Sequence, residues 1–183
     1  MSKENADKEQ KRSFKREVFS WIACIVVTIL LTEFILNFVI INANIPSGSM
    51  ENTIMTNDKL IALRTSYWFN DPKRGDIIIF KYPDDETEWF IKRVIALPGG
   101  TVLVKDGKVY INGSKKALSE PYIKEEPVED FGPYKVPKNG YFVMGDNRNN
   151  SNDAREWETH YVSRDEVLGK AWFRYYPSIK VIK

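Results

Sequence analysis

Residues 88–97 read EWFIKRVIAL and are followed by Pro98-Gly99-Gly100. Aromatic and β-branched residues favour strands and the Pro-Gly pair ends the run, so a strand is predicted from Glu88 to Leu97. Because side chains alternate between the two faces of a strand, Lys92 shares a face with Phe90 and Val94. Lysine is almost never buried without a partner, which makes this lysine a candidate for chemistry.

Two interpretations of Lys92 are open. In a buried strand, desolvation lowers the pKa of the amine and leaves part of it neutral at physiological pH, as a general base for a serine hydroxyl requires. On an edge strand, the same amine is an ordinary solvated charge. The strand by itself does not decide between them.

Further strands are predicted on both sides of this run. Asp106-Gly107 between two apolar runs predicts a tight hairpin turn, and Ser163 with Glu166 predicts a capping box. The stretch from Ala117 to Pro137, rich in proline and acidic residues, predicts an extended loop. The fold class is therefore mainly β, with further strands at Lys59–Leu63, Asp76–Phe80, Val102–Val104, Val109–Ile111, Gly140–Met144 and Gly169–Tyr176.

The N-terminal part predicts one transmembrane α-helix. The apolar run from Val18 to Ile41 is roughly 36 Å long as a helix, which is enough to cross a bilayer. It is too long for the apolar core of a cleaved signal peptide, and Asn42-Ala43-Asn44 is a poor cleavage site. We therefore expect a retained anchor at residues 18–41.

The distribution of basic residues predicts the orientation. Several lysines and arginines precede the span, and none occurs between Arg16 and Lys59. The positive-inside rule then predicts that residues 1–17 are a cytoplasmic tail, that the anchor crosses the cell membrane and that residues 42–183 form an extracytoplasmic β-rich domain. The polar composition of the tail predicts disorder.

Composition excludes several classes of function. The 183 residues carry 27 basic and 25 acidic side chains, so a net charge of +2 gives no nucleic-acid-binding face. The single cysteine, Cys24, lies in the apolar run, which leaves the outer domain without a cysteine nucleophile or a disulfide. With one histidine, no metal or other cofactor is expected. A Ser-His-Asp triad remains an alternative and would have to use His160.

A candidate nucleophile lies shortly after the span, in Ile45-Pro46-Ser47-Gly48-Ser49-Met50. Pro46 fixes one backbone φ angle, Gly48 permits close approach or positive φ, and the hydroxyls of Ser47 and Ser49 flank it. A fully extended chain keeps Ser49 within about 26–29 Å of Ile41, close to the membrane. The alternative is a serine-rich linker.

A third polar stretch, Gly145 to Arg155, directly follows an apolar strand. It contains one hydroxyl, Ser151, and two possible ion pairs, which suits a support loop for a catalytic site. A calcium loop is disfavoured because the D-x-[DN]-x-[DN]-G pattern is absent and arginines intervene. A plain polar turn is the remaining alternative.

Together the three stretches resemble bacterial type I signal peptidases. Pro46 to Thr53 matches the family pattern Pro-Ser-x-Ser-Met-x-Pro-Thr, except for Asn52 at the second proline. The run from Lys92 to Gly99 matches the lysine box, with Gly100 in place of an acidic residue. A further structural box fits Arg74-Gly75-Asp76.

Gly145 to Arg155 matches the family's third box, Gly-Asp-Asn-Arg-x-x-Ser-x-Asp-Ser-Arg, with Ala154 at the second serine. The boxes occur in the family's order, and they span most of the outer domain. The departures at Asn52, Gly100 and Ala154 leave the chemical groups in place and put the turn geometry in question.

The resemblance implies the roles in the site. Ser49 is the nucleophile and Lys92 the base and later acid. The Ser49 N–H and the Ser47 hydroxyl form an oxyanion hole, and Ser151 hydrogen-bonds the Lys92 amine and orients it. Two ion pairs support the loop, Asp146 with Arg93 and Asp153 with Arg155.

The resemblance also implies the substrate: an exported preprotein whose leader ends in small-x-small residues, bound extended as an added strand. Ile45, Met50 and Ile91 lie beside the dyad in sequence and are expected to wall shallow substrate pockets. The insert between the second and third boxes, about residues 100–137, is short, as in Gram-positive members. No nucleic-acid partner is expected, and the lipid bilayer is a partner of the anchor.

Three functions remain to be separated. The first is a membrane-anchored serine endopeptidase that removes signal peptides through a Ser/Lys dyad. The alternative is a catalytically silent, membrane-anchored β-domain that acts as a binding or assembly module. A penicillin-binding type of Ser/Lys hydrolase is disfavoured, because the chain has neither S-x-x-K nor G-x-S-x-G.

Overall fold

A computed structural model describes residues 3–183, with side chains described from Phe14 onward. Helix α1 runs from Lys3 to Phe34 and continues as a π-helical segment, Ile35–Val39. The part from Phe14 to Val39 is long and apolar enough to cross a membrane. The predicted disordered tail is therefore helical from Lys3, because extending an existing helix adds one hydrogen bond for each residue fixed.

The rest of the chain is built from strands, so the mainly β prediction is correct. Seven strands and one appended strand form the main sheet in the order β1-β2-β10-β3-β4-β8-β9, with β11 on β10. A second sheet has the order β6-β5-β7. The strands are β1 Ile40–Asn44, β2 Lys59–Leu63, β3 Ile77–Tyr82, β4 Asp85–Ala96, β5 Thr101–Lys105, β6 Lys108–Ile111, β7 Phe131–Lys135, β8 Gly140–Met144, β9 Val162–Ser163, β10 Val167–Tyr176 and β11 Lys180–Val181.

Strand β3 lies at the centre of the hydrophobic packing. Ile78 and Phe80 belong to one buried cluster, and Ile77 and Ile79 belong to a second. Because successive side chains point to opposite faces, the two clusters cover the two faces of the sheet. Burial on both faces explains why this strand is a continuous apolar run rather than an alternating one.

Local signals predicted the hairpin and the capping box correctly. Strands β5 and β6 pair around Asp106-Gly107, and Asp106 adopts the positive φ that such a turn requires. The Ser163 side chain and the Glu166 side chain each accept from the other residue's backbone N–H, as a capping box predicts.

Two differences from the predicted elements involve partners distant in sequence. Strand β1 begins at Ile40, inside the predicted span, and pairs with β2. Strand β7 lies inside the predicted extended loop and pairs with β5. Their sequences lack strong local strand signals, and the pairing partner supplies the hydrogen bonds that make them strands. Strand β4 also begins earlier than predicted, at Asp85 rather than Glu88, and there it pairs with the nearby Tyr82.

The pairing of β4 leaves one edge open where the candidate lysine lies. On one side, β3 pairs along β4 from Asp85 to Arg93. On the other side, β8 pairs only with the segment from Arg93 to Ala96. Among the described strands, none pairs with that second edge before Arg93. The stretch from Glu88 to Lys92 therefore keeps unpaired backbone groups facing a cleft.

Candidate active site

The Ser49 turn is held from two sides. Met50 is fully buried in the second hydrophobic cluster and fixes the turn to the core. The Asn147 backbone N–H donates to the Ser49 carbonyl at 3.1 Å, and its side-chain amide donates to the Gly48 carbonyl at 3.0 Å. The third polar stretch thus supports the turn through its backbone and one asparagine.

The Lys92 amine meets the Ser49 hydroxyl. Lys92 Nζ donates to Ser49 Oγ at 2.8 Å, and the lysine is only 4% exposed. The Phe90 ring lies 5.2 Å from Nζ. Burial lowers the pKa of Lys92 from 10.5 to about 8, against the carboxylate of Asp153, which raises it. The structure agrees with the first interpretation of Lys92, a buried amine. Its Nζ lies close enough to Ser49 Oγ for proton transfer.

The other two serines differ in their contacts. Ser47 Oγ lies 3.5 Å from Ser49 Oγ, on the nucleophile side of the cleft. Ser151 Oγ is buried and has no hydrogen-bond partner among the described residues, so the predicted bond to Lys92 is not formed. The Ser151 side chain instead fills the space beside the Cα of Gly145, which has no Cβ to exclude it. Its orienting role stays a prediction.

The ion pair between Arg93 and Asp146 is formed and buried. Arg93 Nε and Nη2 donate to the Asp146 carboxylate at 2.8 and 2.7 Å, and Nη1 donates to the Gly75 carbonyl at 2.8 Å. Thr53 Oγ1 donates to the same carboxylate. A buried pair is tolerated when its remaining polar groups are bonded, and here the bonds connect the nucleophile turn, β4 and the polar loop.

The second pair, Asp153 with Arg155, supports the polar loop from within. Arg155 Nε donates to Asp153 Oδ1 at 2.9 Å. The other carboxylate oxygen accepts from the Gly145 N–H at 2.9 Å. Asp146 and Asp153, the acidic residues of the calcium alternative, are therefore both engaged by arginines. These contacts hold the loop in place beside the Ser49 turn and disfavour a calcium site.

A cleft of about 580 Å³ opens beside Ser49 and Lys92. Ile45 and Ile91 line it, as the sequence predicts for substrate pockets. Met50 does not, and that prediction is wrong because its side chain turns into the core. Sequence reasoning did not predict the other lining residues, which are Pro46, Gly48, Glu88, Trp89, Phe90, Asn150 and Asn152. Alternation along β4 could have indicated two of these, Glu88 and Phe90.

The histidine lies elsewhere in the domain. His160 Nδ1 is 2.8 Å from the Ala154 carbonyl oxygen, and its ring packs edge-on against Phe131 and Tyr134. It does not line the cleft that contains Ser49. In the described part of the chain, the group beside the nucleophile is therefore Lys92, which disfavours a Ser-His-Asp triad.

Two departures from the family pattern have physical explanations in the structure. Asn52 has a φ of 83°, a conformation closed to proline, and its amide donates to the Ile123 carbonyl at 3.0 Å. Ala154 is completely buried among apolar side chains, where a serine hydroxyl would need a partner. The Ser49 turn is thus built differently from a turn with proline at the position of Asn52.

Comparison with known proteins shows the family of this chain. The model of the family "Signal peptidase, peptidase S26" matches residues 18–176. A probable signal peptidase I-2 of Synechocystis is 44% identical over 85% of this chain and 72% of its own length. The signal peptidase I of Bacillus amyloliquefaciens is 34% identical over 96% of this chain and 97% of its own length. A crystal structure of a signal peptidase I from Enterococcus faecalis V583, 35% identical, aligns with a TM-score of 0.48 over 55% of this chain and 97% of its own. The chain therefore belongs to the signal peptidase family, peptidase S26.

Proposed function

We propose that this signal peptidase cleaves exported preproteins with Ser49 as the nucleophile and Lys92 as the general base. The observation that supports this most strongly is the 2.8 Å contact between Lys92 Nζ and Ser49 Oγ. A buried amine with a pKa of about 8 is partly neutral at physiological pH and can accept a proton. A solvent-exposed lysine without a partner would have neither the short contact with a serine hydroxyl nor a lowered pKa.

The proposed reaction proceeds in two halves. The neutral Lys92 amine takes the proton of the Ser49 hydroxyl while Oγ bonds to the carbonyl carbon of the scissile peptide. The Ser49 N–H and the Ser47 hydroxyl donate to the oxygen that becomes negative. The Lys92 ammonium then gives its proton to the leaving amine, which departs and leaves an ester on Ser49.

The second half restores the enzyme. Neutral Lys92 takes a proton from a water molecule, and the hydroxide oxygen bonds to the carbonyl carbon of the ester. The tetrahedral intermediate collapses, the bond to Ser49 Oγ breaks, and the lysine returns the proton to that oxygen. The leader leaves as a carboxylic acid, and Lys92 and water carry these proton transfers.

The free edge of β4 supports an extended binding mode. A leader strand that adds to the edge between Glu88 and Lys92 would satisfy the unpaired backbone groups and bring one carbonyl to Ser49. Ile45 and Ile91 line the cleft and occupy space beside Ser49 and Lys92. This favours small side chains near the cut, in agreement with small-x-small leaders.

Membrane anchoring completes the proposal. The segment Phe14–Val39 would hold the catalytic domain at the outer surface of the cell membrane, with the N-terminus in the cytoplasm. Protease added to intact spheroplasts should degrade the domain from Ile40 onward and spare the segment before Phe14. Protection of the C-terminal domain would contradict this orientation.

The catalytic assignment is tested by preprotein cleavage in detergent, with the wild type and Ser49→Ala compared at equal folded concentration. Loss of cleavage in Ser49→Ala, with a cooperative unfolding transition retained, supports Ser49 as the nucleophile. A wild type that binds preprotein and never cleaves it would favour the silent binding module. Ser151→Ala and Ser151→Thr extend the test: if Ser151 orients Lys92, turnover falls in the first and is largely kept in the second.

A further inference from the structure

The cleft is nearly uncharged apart from its two ends. Its charged lining residues are Lys92, beside the nucleophile, and Glu88, further along β4. Glu88 forms no ion pair or hydrogen bond with any of the described side chains, whereas Glu86 on the same strand pairs with Lys81 at 3.2 Å. The facing wall contributes the neutral side chains of Asn150 and Asn152. An unpaired carboxylate in a binding cleft is available to a ligand.

The position of Glu88 along the strand sets what it can meet. Glu88 and Lys92 are four residues apart and line the same cleft, and four residues span about 13 Å along a strand. Pairing with β8 begins at Arg93, so the open edge extends from the dyad only toward Glu88. If the proposed function holds, the residues read before the cut lie along this edge. The side chain opposite Glu88 then belongs to the leader, four to six residues before the cleaved bond.

The neighbour of Glu88 suits a long basic side chain. Trp89 lines the cleft and is 53% exposed, which offers an apolar surface to the stem of a lysine or arginine. The guanidinium of Arg64 lies 5.8 Å from the centre of the Trp89 ring and forms no ion pair with Glu88. The Glu88 carboxylate is therefore not held in a salt bridge by the neighbouring arginine.

We propose that Glu88 is a specificity-determining residue that selects leaders with a basic side chain four to six residues before the cut and disfavours acidic ones. This inference rests on the proposed function and adds a charge preference to it. The small residues near the cut give little binding energy. Ionic attraction to Glu88, at a distance from the dyad, would hold the leader in register.

The test uses the full-length chain in detergent and a preprotein with one substitution, Lys, Gln or Glu, at the fourth, fifth or sixth residue before the cut. The kcat/KM ratio for Lys over Glu is measured for the wild type, Glu88→Gln and Glu88→Lys, with Glu86→Gln as the matched control outside the cleft. The expected preference at the best position is roughly tenfold. An exposed ion pair changes kcat/KM by up to about fivefold. Replacing Lys by Glu in the preprotein removes an attraction to Glu88 and adds a repulsion, so the ratio is larger than for the attraction alone.

The proposal expects the ratio to fall close to one in Glu88→Gln, to invert in Glu88→Lys, to persist in Glu86→Gln and to shrink as salt is raised. A ratio that is the same in the wild type and in Glu88→Gln at all three positions would overturn it. Failure of the wild type to cleave even the Gln-bearing preprotein would instead reject the proposed function, so the two outcomes are distinguishable.

Discussion

Replacing Lys92 by methionine should abolish cleavage and make the fold more stable at neutral pH. Burial lowers the pKa of Lys92 from 10.5 to about 8. At about 1.36 kcal/mol per pKa unit, that shift corresponds to roughly 3 kcal/mol of disfavoured charging. The lost hydrogen bond to Ser49 offsets about 1 kcal/mol. The net gain expected for Lys92→Met at pH 7 is therefore about 2 kcal/mol.

The sign and the pH window follow from proton linkage. Below pH 8 the lysine is protonated in both the folded and the unfolded chain, and the full cost of burying the charge is present. Between pH 8 and 10.5 the unfolded chain binds more protons, so the wild type gains stability as the pH rises. The advantage of Lys92→Met should therefore be constant below pH 8 and disappear as the pH approaches 10.5.

The measurement is guanidinium unfolding of the full-length chain in detergent at pH 7 and pH 10, with the exposed Lys108→Met as control. The other ionisable groups are common to both proteins, so the difference between wild type and Lys92→Met isolates Lys92. The same pKa predicts that wild-type cleavage rises with pH through about 8. At pH 7 about one tenth of the amine is neutral, compared with about one part in 3000 at the ordinary pKa.

Two results would refute this account of Lys92. A stability difference between wild type and Lys92→Met that does not change from pH 7 to pH 10 would mean that the lysine titrates normally and is not desolvated. Retained turnover in Lys92→Arg would exclude a neutral amine as the base, because a guanidinium stays protonated throughout this range.

Substitutions at three further positions test the surroundings of Ser49 and Lys92. Gly145→Ala should lower kcat at least tenfold, because its Cβ would overlap the Ser49 carbonyl oxygen; unchanged turnover would contradict the packing. Asn52→Pro, which restores the family residue, should cost about 3 kcal/mol of unfolding free energy, since proline cannot adopt a φ of 83°. Asn52→Gly should stay within about 1 kcal/mol of the wild type, and equal stability of the two variants would show that the turn adapts. Asp146→Asn should cost about 3–5 kcal/mol by leaving the buried Arg93 unpaired, and a change below 1 kcal/mol would mean that water reaches the pair.

The sequence alone determined the features that depend on neighbours in the chain. The run at residues 88–97 predicts its strand through β-branched and aromatic residues, and Asp106-Gly107 predicts its hairpin through the φ angles that the turn needs. The apolar helix before residue 40 follows from length and hydrophobicity. The candidate nucleophile, base and ion-pair residues were identifiable because three short stretches resemble the patterns of a known family.

The tertiary structure decided everything that depends on residues distant in sequence. Strands β1 and β7 exist because distant strands supply their hydrogen bonds. Met50 follows the nucleophile directly, yet its side chain packs into the core, while Glu88 lies far from Ser49 in sequence and lines the same cleft. The chemistry of Lys92 has the same origin. Its amine is an ordinary cation in the unfolded chain and becomes a weak acid with a pKa of about 8 only when the packed domain removes water from it.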